Sequence, residues 1–80
     1  EIVPAGSELT RALDLAARIC EMAPLAVQET KASSKRWIDE GFKATVNAMG
    51  SVQSKLLASD DAKEGVASFV ERRSAQFKGR

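Results

Sequence analysis

The sequence predicts an all-α chain of about four helices, and three observations carry that reading. Apolar residues recur at steps of three and four in successive stretches, the period of one helical face rather than the alternation of a strand. Aromatics supply only 5% of the 80 residues, so a core would be built from Ala, Leu, Val, Ile and Met, which suits helix packing better than a sheet. Breaker and start signals at Pro24, near Gly41 and at Asp61 divide the pattern into pieces of helical length.

Taken in order, Glu1, Ile2 and Val3 form a short extended run closed by Pro4, because the residue before proline is biased toward β geometry; the run reads as the end of a strand belonging to something larger. From Glu8 to Met22, Leu9, Ala12, Leu13, Ala16, Ile19, Cys20 and Ala23 mark one helical face, with Ser7 placed to cap it. Pro24 cannot extend that ladder but fits the first turn of a second helix, which reads to about Arg36. Thr30, Ser33 and Ser34 weaken the second helix, and Trp37 to Gly41, with Asp39 and Glu40, read as a turn with solvated carboxylates. From Phe42, the positions Val46, Met49, Val52, Leu56 and Leu57 define a long amphipathic helix. Asp61 and Glu64 have capping-box spacing, so a last helix begins there, with Ala62, Val66, Phe69 and Val70 as its apolar face and an end near Arg73. Ser74 to Arg80 read as an irregular polar tail, and no internal repeat is present.

At this length the chain is one small domain burying roughly 60–70% of its unfolded surface. With 44% hydrophobic residues, many of them alanine, its core is thin and part of its stability is expected from another surface. The formal charge of +1 gives no global attraction to nucleic acid or membrane. Charge is uneven, since Arg72, Arg73, Lys78 and Arg80 face only Glu71 in the last stretch. Cys20 is the single cysteine, and its place in an apolar stripe reads as a reduced structural thiol in a reducing, cytoplasmic setting. No apolar run approaches the ~20 residues that span a bilayer, and the acidic start resembles neither a signal nor a transit peptide.

The chemistry-bearing residue types are sparse. Without histidine, the commonest general base and metal ligand is missing, and no metal site is expected. Asp60, Asp61 and Glu64 cluster, but helix capping accounts for them more simply than a hard metal does. The five glycines never gather into a phosphate loop. Phe69 and Arg72 are i, i+3 neighbours on the predicted last helix, where a ring and a guanidinium could face a flat base and a phosphate; an inward Phe69 and a solvated Arg72 are the plainer alternative.

The stretch Ser59-Asp60-Asp61-Ala62-Lys63-Glu64-Gly65-Val66-Ala67-Ser68-Phe69-Val70-Glu71-Arg72-Arg73, followed by Phe77-Lys78-Gly79-Arg80, closely resembles the C-terminal end of enoyl-CoA hydratase/isomerase (crotonase) enzymes, where S-x-D-x-x-E-G-x-x-A-F-x-E-K-R runs into an F-x-G-like ending. Val3-Pro4, the alanine-rich helix, Ala23-Pro24 and Thr30-Lys31 look like the same family's passage from the last core strand into its helical appendage. Serine at position 68 and arginine at position 72 depart from the usual alanine and lysine.

By this resemblance, residues 1–6 are the end of a core-domain strand and linker, 7–73 a C-terminal helical domain and 74–80 an irregular basic tail. The parent would hold an acyl-CoA thioester in an N-terminal ββα-superhelix domain whose backbone amides form an oxyanion hole. Coenzyme A enters as part of the substrate, with no further cofactor, and no catalytic residue is expected in this chain. The family's C-terminal helices cover the active site and pack between subunits of trimers and hexamers. Phe69 and Arg72 correspond to a phenylalanine and a basic residue that approach the CoA adenine and phosphate, although arginine changes the geometry that lysine would give. A stand-alone, non-catalytic helical interaction module is the competing reading. A nucleic-acid binder is weaker still, because no basic helix face adjoins the tail.

Overall fold

A computed structural model describes residues 1–80 as four helices without a strand, the all-α architecture that the periodicity predicts: α1 (Glu8–Cys20), α2 (Pro24–Glu40), α3 (Phe42–Leu57) and α4 (Asp60–Glu71). No helix is long and apolar enough to cross a membrane.

The starts and stops differ from the sequence reading in instructive ways. Ser7 precedes α1 but does not cap it with its hydroxyl; its backbone is near-helical, and only its carbonyl serves the helix, accepting from the Arg11 amide. α1 ends at Cys20, two residues early, as Glu21 and Met22 turn back onto the Arg18 and Ile19 carbonyls in tighter i, i+3 bonds. Ala23 is then extended, as a residue before proline must be, and Pro24 opens α2.

α2 runs to Glu40, so the expected turn over residues 37–41 is wrong, and Asp39 and Glu40 are helical. The hydroxyls of Thr30 and Ser34 do not compete with the helix. They donate to the carbonyls of Ala26 and Thr30, four residues back, within the existing ladder. Lys35 pairs with Asp39 one turn on, and nothing before Gly41 disallows helical geometry.

Gly41 alone separates α2 from α3. Its φ of 87° and ψ of 179° lie in a region that a Cβ makes strained, and one residue thereby reverses the chain. At that joint the rings of Trp37 and Phe42 meet edge-to-face at 5.2 Å. At the far end Glu29 and Lys55 pair across the hairpin. α2 and α3 are the main packed pair, α4 touches α3 more lightly, and α1 stands apart, with Arg11 its one half-buried residue.

The molecule is flat, 43 × 40 × 17 Å, and buries no apolar side chain. Its two buried residues are Asp61 and Ser68, both polar and both on α4. Val66, Phe69 and Val70, expected to seal α4 inward, are exposed, as are Leu9, Leu13, Ile19 and Cys20 along α1. The expectation of a thin core therefore holds in a stronger form: stripes with helical periodicity exist, but that of α1 and most of that of α4 stay open, and the packing of α2 on α3 buries no apolar side chain completely.

Two outcomes follow from this packing. Expressed alone, the 80-residue chain should self-associate or melt over a broad range in sedimentation and thermal-unfolding experiments; a monomer with one sharp, cooperative transition would contradict the exposed stripes. Gly41→Ala should destabilise the intact protein by about 1–3 kcal/mol in denaturant unfolding, because the hairpin reversal would place a Cβ in a disallowed conformation.

Candidate functional site

The site is built on α4 and the chain that folds back over it. Ser59 caps the helix: its hydroxyl oxygen accepts from the Ala62 amide at 3.1 Å, with Asp60 and Asp61 in the first turn beside the positive end of the helix dipole. The Asp61–Glu64 capping box read from spacing is not formed, because Ser59 already occupies the cap and the two carboxylates are engaged elsewhere.

Their partners are in the tail. Asp61 accepts from the backbone amides of Lys78 and Gly79, both at 2.7 Å, while its own amide donates to the Arg80 carbonyl at 3.0 Å. A carboxylate only 3% exposed would be costly unless such charge-assisted bonds replaced its lost water, and two amides aimed at its two oxygens do so. Gly79 takes a positive φ of 73° where the tail lies against Pro24, so the tail links the two ends of the α2–α4 region. The Phe77 ring lies over Gly65.

One turn along α4, Glu64 receives the Arg73 guanidinium in a two-point grip, Nη1 to Oε1 at 2.5 Å and Nη2 to Oε2 at 2.9 Å. It also accepts from the Gln76 amide at 2.7 Å. Those hydrogen bonds, Arg73 first and Gln76 second, pull the Glu64 carboxyl down to about 2. Arg73 is in turn held more firmly protonated by Glu64 and Glu71.

Between these anchors α4 ends. The Arg72 amide donates to the Phe69 carbonyl and the Arg73 amide to the Ser68 carbonyl, the paired bonds of a Schellman ending. Arg72 is left-handed, with φ 52° and ψ 45°, and it is the one non-glycine residue with positive φ. The helical i, i+3 relation expected for Phe69 and Arg72 is thus replaced: Phe69 is on the last turn of the helix and Arg72 on the turn that leaves it. Both side chains face solvent, Phe69 being 85% exposed, and the Arg72 guanidinium makes no hydrogen bond or ion pair within the chain. The inward-packed Phe69 of the plainer alternative is not what the structure contains.

Sequence reasoning singled out Phe69 and Arg72 as candidates and missed the clamp. The signal was present as two acids one turn apart followed by Arg73, yet the Glu64–Arg73 separation of nine residues matches no helical spacing and becomes a contact only because the chain reverses at Arg72.

Comparison with known proteins gives a consistent assignment. A family model described as enoyl-CoA hydratase/isomerase matches residues 1–80. Carnitinyl-CoA dehydratase of Proteus mirabilis is 37% identical over 83 aligned positions, covering 99% of this chain and 32% of that protein. Enoyl-CoA hydratase EchA19 of Mycobacterium tuberculosis is 39% identical over 99% of this chain and 30% of its own length. A crystal structure of a probable enoyl-CoA hydratase/isomerase from Mycobacterium abscessus superimposes with a TM-score of 0.94 at 36% identity, covering 100% of this chain and 31% of that one. The chain thus spans about a third of the length of the relatives it matches.

The clamp has a pH signature. Because the folded Glu64 carboxyl lies below its ordinary value of 4.5, the stability it lends the tail is complete above that value and is lost as pH falls toward about 2. In NMR titrations the Gln76 amide shift should follow Glu64 with a midpoint near 2; a midpoint near 4.5 would mean that the clamp is open in solution.

Proposed function

The chain belongs to the enoyl-CoA hydratase/isomerase family, and from that premise we propose that it is the C-terminal helical segment of an enzyme acting on acyl-CoA thioesters, where it forms part of the CoA-binding wall and of the contacts between subunits. In this reading residues 1–6 finish a core strand, 7–73 are the helical domain and 74–80 the basic tail. The groups that handle the thioester carbonyl and move protons lie in the remainder of the parent chain, which would be a cytoplasmic hydratase or isomerase assembled as a trimer or hexamer. Coenzyme A is part of the substrate and no other cofactor is invoked.

Arg72 is the observation that carries the CoA assignment. A left-handed residue with a Cβ costs roughly 1–2 kcal/mol, and glycine fills such a helix ending without that penalty. An arginine there, its guanidinium free of partners while neighbouring Arg73 is fully engaged, is suited to an anionic ligand. A guanidinium offers a phosphate a planar two-point donor, and the exposed Phe69 ring supplies a flat surface on the preceding turn for an adenine. The exposed stripes of α1 and α4 support the second part of the proposal, since a larger body and neighbouring copies would cover them.

Arg72→Gly separates binding from folding. In the intact protein it should leave stability unchanged or raised, because it relieves the backbone, yet weaken coenzyme A binding by about tenfold through loss of a charge-assisted contact. Isothermal titration with coenzyme A beside thermal unfolding reads both quantities. Unchanged affinity would remove Arg72 from the site, and a protein that binds no coenzyme A at all would favour the stand-alone interaction module.

A further inference from the structure

We infer that Glu64 is a positioning residue for coenzyme A recognition, acting through Arg73 to hold the left-handed turn from which Arg72 projects; the inference rests on the CoA role proposed for Arg72. Glu64 itself is about two helical turns from the end of α4 and has its carboxylate committed within the chain, so its effect on a ligand must pass through what it holds.

The geometry makes that link short. Arg73 follows Arg72 directly, and its amide closes the helix ending on the Ser68 carbonyl while its guanidinium is gripped at both nitrogens by Glu64. The residue after the turn is thus fixed at its backbone and at its side-chain tip. Gln76 is tied to the same carboxylate by its amide, which fixes the direction in which the chain leaves. Ser68, on the other side of the turn, is 7% exposed, with its hydroxyl donating to the Gly65 carbonyl. Arg72 alone in this stretch has an unconstrained side chain on a constrained backbone. A backbone that resists left-handed geometry relaxes once its neighbours release it, and the guanidinium would then sample many directions. Glu64 removes that freedom before a ligand arrives, and pre-organisation of this kind acts on affinity.

Glu64→Gln tests the inference in the intact protein, because it keeps an acceptor for the Gln76 amide and loses the charge that grips Arg73. Coenzyme A affinity, measured by isothermal titration, should fall roughly three- to tenfold in Glu64→Gln and by a similar factor in Arg73→Ala, which breaks the same grip from the other side. In an Arg72→Ala background neither change should weaken binding further, since the guanidinium they position is gone. An equal further loss in that background would make Glu64 a general stability residue and overturn the inference. So would unchanged affinity in Glu64→Gln and Arg73→Ala where Arg72→Ala alone weakens binding, which would leave the CoA role of Arg72 standing. If Arg72→Ala itself has no effect, the CoA reading fails and this inference with it.

Discussion

The carboxylates of Asp61 and Glu64, one turn apart on α4, hold the backbone of the last five residues and the guanidinium of Arg73. In a chain that buries no apolar side chain, this polar clamp gathers most of the hydrogen bonds that join distant parts of the sequence. Hydrophobic burial ordinarily supplies most of the free energy that opposes chain entropy, and here the area needed for it is left facing outward. Helix propensity, the Gly41 hairpin and the clamp set the local geometry. They do not by themselves make a self-sufficient domain.

This division between polar order and unspent apolar surface fits a segment of a larger enzyme. The α1 stripe of Leu9, Leu13 and Ile19 has the helical period of a buried face and yet lies open, which is intelligible if the covering surface belongs to the parent body or to another copy. The end of α4 is different in kind. There the backbone is specified closely by two helix-ending bonds and a gripped arginine, while Phe69 and Arg72 face solvent, the pair to which the proposed function gives a flat base and a phosphate. Rigid support beneath adaptable contact groups is the arrangement that ligand recognition favours.

Much of the fold was legible in the residues. Steps of three and four predicted α1, α3 and α4, Pro24 placed the α1–α2 break and opened α2, and the terminal motif pointed to the family. The misreadings share a cause. Thr30 and Ser34 were read as helix-weakening, when back-bonding to carbonyls four residues away lets the helix absorb them, so α2 continued to Gly41. Asp61 and Glu64 were read as local caps, when their partners lie nine to eighteen residues on: the Arg73 guanidinium for Glu64, and backbone amides, which carry no sequence signature, for both. Phe69 and Arg72 were singled out as candidates, but their relation was drawn on a helix that Arg72 itself terminates. Local pattern identifies elements well; contacts created by a chain reversal must be seen in three dimensions.

A segment of a larger body must have its open α1 face covered in the intact protein. Cys20 lies on that face and is exposed in this chain, so its thiol reports directly on the cover. Labelling native full-length protein with a small thiol reagent, and following the Cys20 peptide by mass spectrometry, should show a rate far below that of the same peptide after denaturation. Labelling at the denatured rate under native conditions would mean that nothing lies over α1, and the chain would have to be regarded as a module in its own right.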